Sequence, residues 1–398
     1  MIGSLYSGIS GLKANASTMS VIGDNIANVN TTGFKSSTVS FANIFAATLG
    51  SSENEIGRGV VLSDVVQNWQ SGALENTNSS TDLSINGQGM FLVTDPTDGN
   101  QYFTRAGNFQ FDLNGDLSTS DGMQVQGYQI DPTGAVLGMG NITLPAGTNN
   151  PNETTQLNMA LNLDGSALDT TTYDTTITVY DSLGSPVELT FNFVRDLSGA
   201  TPAWDWSITP SRGACATSGT LTFDTSGNLA TPAADPTINI TGLTGATDPL
   251  DIAWVLTDGS VTGYAGSSSK TAQIQDGFSS GSLQGIEVDE YGIFTGLYSN
   301  GVQTPFAQIA LADFPSYTGL SKVGSNMYTA STSSGQPLIG TAGTAGMGSV
   351  TSGALEMSNV DLASEFVDMI TTQRAFQANS RVITSSDDML AELINIKR

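Results

Sequence analysis

The sequence predicts a multidomain chain in which two terminal α-helices bracket a mainly-β middle. Three observations point there. The 398 residues exceed what one ordinary core organises. Charged residues make up only 12% of the chain, against 45 Gly and long tracts of Thr, Ser, Asn and Asp, a polar and turn-rich composition that suits strands better than helices. Both ends depart from that composition and carry a seven-residue apolar repeat.

At the N-terminus, Ile2, Leu5, Ile9, Leu12, Ala16, Met19, Gly23 and Ile26 alternate steps of three and four, the heptad pattern of a coiled-coil-like helix. Asn28, Asn30, Thr31, Thr32 and Gly33 then form a polar stop. At the C-terminus, Leu355, Leu362, Met369, Phe376, Ile383 and Leu390 recur every seven residues, with Phe366 and Ile394 on the same side, and predict a helix over 359–395. Ser358 is expected to cap it, with Asp361 facing the exposed amides. The second stripe is read four residues on, at Asn359, Phe366, Gln373, Ser380, Asp387 and Ile394. It is mostly polar, so the seam is narrow and suits a helix that shares its burial among several neighbours.

The middle is punctuated by an apolar residue followed by Asp-x-x-Gly, at Asp112–Gly115, Asp131–Gly134, Asp181–Gly184, Asp224–Gly227 and Asp289–Gly292. Asp at the first and Gly at the fourth place is a turn signature, and alternation such as Glu188-Leu189-Thr190-Phe191-Asn192-Phe193 makes hairpins of the flanks. Linker composition at 147–155 and 264–273 sets apart an inserted β domain, a barrel or sandwich, over 148–275. Residues 81–147 with 276–356 then form an outer β-rich domain, 30–80 an extended or hairpin connector, and 1–29 with 357–398 the helical domain. The Gly-, Thr- and Ala-rich stretch 335–353 is expected to be a flexible approach to the last helix.

Several function classes fall away. The net charge of −25, with only 12 Lys and Arg residues and no basic cluster before Lys397-Arg398, disfavours nucleic acid and anionic membrane surfaces. No segment is long and apolar enough for membrane insertion, and the first residues lack the pattern of a cleaved secretory signal. With no His and one Cys, Cys215 in a loop-like setting, His-dependent triads, classical zinc sites and an intrachain disulfide are excluded. Asp112-Leu-Asn114-Gly115-Asp116 lacks the downstream Glu of a calcium loop and reads as a turn. Gly87-Gln-Gly89 and Gly138-Met-Gly140 are strand-edge glycines, with no Lys-Ser/Thr after them to hold a phosphate. No carboxylate pair is singled out for hydrolysis. The expectation is a non-enzyme with no cofactor and no metal. A secreted β-rich adhesin and an acidic hydrolase are the competing classes.

The ends imply assembly. Ordering each helical residue costs roughly 1–2 kcal/mol of backbone entropy, and an isolated amphipathic helix is marginal in water. Six buried seam residues return on the order of 10 kcal/mol, but only where a partner surface exists. Leu5, Ile9, Leu12, Met19, Ile26, Leu355, Leu362, Phe366, Met369, Phe376, Ile383, Leu390 and Ile394 are therefore expected at an assembly interface.

Specific residues then carry a resemblance. Ser10-Gly-Leu-Lys13 followed by 21–35, with Asp24, Asn25, Asn28, Asn30, Gly33, Phe34 and Lys35, resembles the N-terminal signature of the flagellar rod, hook and basal-body family. Residues 355–365, with Asn359, and 373–381, with Gln373, Arg374 and Asn379, are similar to its C-terminal signature; 82–93 and 103–128 add two internal matches. The resemblance implies terminal helices forming an inner tube around an export channel, with β domains as the outer wall. It implies a homo-polymer of many copies in the extracellular flagellum, exported without a cleaved signal by the flagellar type III export apparatus. The implied partners are the distal rod protein, the hook cap and the hook–filament junction protein. Chain length favours a hook subunit over the shorter rod and longer junction members.

Overall fold

In the computed structural model, residues 2–44, 59–131, 134–198, 203–256 and 258–396 are described. They form two compact units, one of residues 1–145, 286–296 and 304–398 and the other of 146–285 and 297–303.

The first unit holds both helices, α1 (Ile2–Ala27) and α2 (Leu362–Ile396). α1 stops where Asn28 Nδ2 turns back to the Asp24 carbonyl and Thr31 N donates to Asn28 O. Gly33, at φ +69°, then reverses the chain, and a Cβ there would lie 2.6 Å from Ala106 N, so only glycine fits. The ribbon of β1 (Ser37–Asn43) and β2 (Val60–Gln67) lies along α1, with Asn25 bonded to Ser37 at one end and Ser10 Oγ to Val60 N at the other.

α2 begins later than the predicted 359, and Ser358 is not its cap. Asp361 Oδ1 accepts from Ala363 N (3.0 Å) and Oδ2 from Ser364 Oγ (2.9 Å). Residues 354–359 are held extended by pairing with the connector, so the helix starts at the next side chain able to reach its free amides. Leu355 accordingly leaves the helical stripe: it sits in the strand Ala354–Glu356, opposite Glu75 of β3 (Leu74–Asn76).

The β body of this unit is antiparallel around Met90–Thr94, which pairs with Gln101–Thr104, Gln124–Ile130 and Gln303–Asp313. Leu83, Phe91, Phe109, Val125, Phe294 and Ile309 are fully buried in its core. Residues 335–353 are built into that body by strand pairing, contrary to the expected flexible approach. Leu338–Thr341 pairs with Gln303–Asp313, Ser349–Ser352 pairs with Leu83–Asn86, and Ala342, Met347 and Val350 are buried. The glycines here serve turns, Gly343 at φ +74° and Gly346 at +84°, rather than slack.

In the second unit, one sheet runs from Thr172–Tyr180 through Pro186–Asp196, Ala203–Pro210 and Ser218–Phe223 to Leu229–Thr231. The other is built around Gln156–Asn162, which pairs in parallel with Leu250–Val255 and antiparallel with Ser269–Gln275. Alternation of buried residues with exposed or half-buried ones in Pro186–Asp196 puts Val187, Leu189, Phe191 and Phe193 into one core. There Trp254 stands edge-on to Phe191 (5.0 Å) and Trp206 (5.1 Å).

At all five Asp-x-x-Gly sites the glycine N–H donates to the aspartate carbonyl, at 2.8–3.1 Å, with the glycine at positive φ. Each aspartate Oδ1 also accepts backbone amides of its own turn, Asn114 and Asp116 at Asp112 for example. That explains why the sequence repeats Asp there: the carboxylate closes the turn.

Candidate assembly face and helix root

α1 and α2 run antiparallel and meet through small residues. Ser4 Oγ lies 3.3 Å from Ser386 Oγ, Gly8 faces Ile383, Gly11 faces Asn379, and Asn25 Nδ2 donates to Glu365 Oε1 at 2.8 Å. Glycine inside a helix costs up to about 1 kcal/mol. Here it lets the helices close: a Cβ on Gly8 would reach Ile383 at 3.0 Å and one on Gly11 would reach Asn379 at 2.6 Å.

Within the chain the α1–α2 seam draws on few of the heptad residues, Ile383 against Gly8 among them. On α1 it follows 4, 8, 11 and 25, one register away from the large apolar residues. Leu5, Leu12, Met19 and Ile26 flank it half-buried, and Ile9 is exposed. On α2, Met369, Ile383 and Leu390 are half-buried, and the second stripe lies three residues on from the heptad positions, at Glu365, Thr372, Asn379 and Ser386, not four. The stripe four residues on points elsewhere, because side chains small enough for close approach occupy the seam. Of that stripe, Gln373 and Asp387 are exposed and Phe366 is 52% exposed. The Ile394 side chain lies outside the described residues.

Large apolar side chains remain uncovered among the polar ones. Leu362, Phe366, Val367, Ile370, Phe376, Val382 and Met389 on α2, with Tyr6 and Ile9 on α1, all stand exposed. A groove of ≈400 Å³ between the helices is lined by Asn15, Ala16, Met19, Gln373, Phe376 and Gln377. Leu362, Phe366 and Ile370, spaced four residues apart on α2, form an exposed apolar row that marks an interaction face. Arg374 and Arg381 are exposed on the same helix between acidic residues Asp368 and Asp387.

At the root of the helices the remaining signature residues converge. Asn25 pairs with Ser37 through both its carboxamide atoms, at 2.9 Å each. Asn359 accepts from Ser36 N (2.8 Å) and donates to the carbonyls of Asn68 and Gln70. Lys35 Nζ donates to Glu356 Oε1 at 2.6 Å and to Gln70 O at 2.8 Å, with both charged side chains fully buried. Arg105 reaches Glu356 Oε2 at 3.3 Å. Burial holds Lys35 below the ordinary lysine range, with the Glu356 charge opposing the shift. Burial likewise raises Glu365, helped by Asp368 and Asp361 and opposed by its bond from Asn25. Phe34 packs beneath Lys322 Nζ, 5.5 Å from the ring centre. Asp24 and Asn30 are exposed, as is Arg374. Glu356 carries this cluster and was not singled out from the sequence, where a lone acid in an acidic chain gives no signal. Its separation from Lys35 by 321 positions hides the pair.

No helix among the described residues is long and apolar enough to cross a membrane, and no group of potential metal ligands is found among them. Cys215 lies not in a loop but in the two-residue strand Ala214–Cys215, half-buried beside the second core.

Comparison with known proteins decides the family. Profiles described as flagella basal body rod protein, flagellar hook protein FlgE/F/G D1 domain, flagellar basal body protein FlaE D2 domain and flagellar basal body rod FlgEFG protein C-terminal match residues 5–35, 84–166, 160–278 and 351–396. The flagellar hook protein FlgE of Borreliella burgdorferi is 34% identical over 447 residues, covering all of both chains. The chain belongs to the flagellar hook protein FlgE family. The hook protein FlgE of Salmonella typhimurium is also 34% identical, over 98% of each chain. The Helicobacter pylori flagellar hook protein FlgE2 shares the fold, at a TM-score of 0.57 and 14% identity, over 71% of this chain and 100% of that one. Most of the helix pair, with Lys35, Glu356 and Asn359 of its root, falls in the two terminal matches, and Arg105 falls in the D1 match.

Proposed function

We propose that this chain is the structural subunit of a bacterial flagellar hook, polymerising into a flexible helical tube that transmits motor torque to the filament and encloses the export channel. The observation that carries this reading is the apolar face that α1 and α2 leave uncovered within the chain, above all Phe366, Ile370 and Phe376. Contacts of one copy's face with a different surface of the next are heterologous, and when the rotation does not close a ring they build an open helical polymer. Leu5, Leu12, Met19, Leu362, Phe366 and Phe376 are the residues assigned to it, and the signature residues at the root hold the helices to the β body. Residues 1–29 with 357–398 form the inner tube, 30–80 the connector, 81–147 with 276–356 the outer domain and 148–275 the outermost insert.

In this reading the protein performs no catalysis. Its neighbours are further copies of itself, the distal rod protein, the hook cap and the hook–filament junction protein, and it reaches the cell exterior through the flagellar type III export apparatus. Electron microscopy of the concentrated, purified protein tests the proposal. Tubes of uniform diameter are expected, and a protein that stays dispersed at every concentration and salt overturns it.

A further inference from the structure

The Lys35–Glu356–Arg105 cluster joins three parts of the chain, and its charges are unequal: two buried cations share one carboxylate. Among the described residues Glu356 is the only acid within ion-pair distance of either. Arg105 belongs to the β body, where Nη1 and Nη2 also donate to Ile85 O and Gly87 O. Lys35 enters from the N-terminal connector and Glu356 from the strand before α2. The connector's backbone is anchored chiefly by that same C-terminal segment: Gly33 N to Glu356 O (2.7 Å), Gly72 N to Glu356 Oε1 (2.9 Å), Ser36 N to Asn359 Oδ1, Thr77 N to Gly353 O and Met357 N to Ala73 O; the β body adds Asn326 Nδ2 to Thr32 O, Lys322 Nζ to Ser37 Oγ and the rings of Tyr317 and Tyr328 against Trp69.

We propose that Glu356 is a counter-ion latch that admits the connector onto the β body only together with the C-terminal segment, so that a chain whose C-terminal part is not in place keeps its N-terminal helix undocked. Without Glu356, docking Lys35 buries a second cation beside Arg105 with no anion to meet either, a strongly disfavoured arrangement. The latch therefore ties the two chain ends into one cooperative step, and an incomplete copy does not present a paired α1–α2 face. It concerns the folding of the single subunit and stands whether or not the chain polymerises.

Hydrogen exchange read by mass spectrometry on the full-length subunit in dilute solution tests it. In the wild type, amides at 33–37 and 68–77 and those at 353–359 should open as one unit, with protection equal within about threefold. Glu356→Gln should speed exchange at 33–37 and 68–77 by at least about tenfold while 187–193 in the second unit stay protected. Lys35→Met added to Glu356→Gln returns the buried charge to its original sum and should restore most of the lost protection. Connector amides that stay protected while 353–359 exchange would overturn the proposal, as would Glu356→Gln with wild-type exchange. If Glu356→Gln loses protection everywhere, the double variant decides: recovery supports the latch, and continued unfolding refutes it.

Discussion

Gly11 of α1 stands so close to Asn379 of α2 that a Cβ there would lie 2.6 Å from the Asn379 amide nitrogen. The two helices approach through an absence of side chain, and most of their large apolar residues lie on the flanks or the outside, buried Ile22 and Ile383 against Gly8 excepted.

Replacing Gly11 by Val should therefore force the helices apart and cost about 1–3 kcal/mol, the usual penalty of overpacking. Thermal denaturation of the polymer followed by circular dichroism at 222 nm checks this on the helical signal. Gly3→Val at the exposed start of the same helix, where a Cβ meets nothing within 4 Å, should cost less than half as much.

Phe376→Asp and Leu362→Asp place a charge on the uncovered face of α2. Each should abolish polymerisation, read by sedimentation, while the far-ultraviolet spectrum of the β units is unchanged. Ordinary polymers from either variant would remove that face from the assembly.

Glu365 has its carboxyl raised by burial, so folding favours its protonated form. Its contribution to helix pairing is fully present below the unfolded value near 4.5 and is lost as pH rises through the higher folded value. Glu365→Gln keeps an acceptor for Asn25 without the charge, and should melt higher than wild type at pH 7 and equal to it at pH 3. Asp361, lowered by its bonds from Ser364 and Ala363, behaves oppositely: its contribution is present above the ordinary aspartate range and lost as pH falls through its lower folded value. Asp361→Ala should lower α2 helicity at pH 7, whereas Ser358→Ala should not.

Trp254→Ala empties the centre of the second core, where the ring is fully buried between Phe191 and Trp206, and should cost that unit about 3–5 kcal/mol. Chemical denaturation followed by tryptophan fluorescence should show the earlier transition, while hydrogen exchange at 90–94 in the first unit stays unchanged.

The turns were readable because Asp112 and its counterparts act locally, within five residues of chain. The helices were readable from their heptads, but which face packs inward was not. An apolar stripe predicts burial without naming the partner, and Gly8, Gly11, Asn379 and Ser386 give no hydrophobic signal although they form the seam. Leu355 fell on the heptad by spacing alone, and strand pairing with Glu75 overrode it. Glu356 could not be found for a different reason: its role depends on Lys35 and Arg105, which only the folded chain brings near.

Hydrogen exchange along α1 and along α2 beyond Met369, compared between the dilute subunit and the polymer, tests the central claim most directly. The account predicts fast exchange over 2–22 and 370–396 in the dilute subunit and strong protection of the same amides in the polymer. Helices already as protected in solitary copies as in the polymer would contradict it.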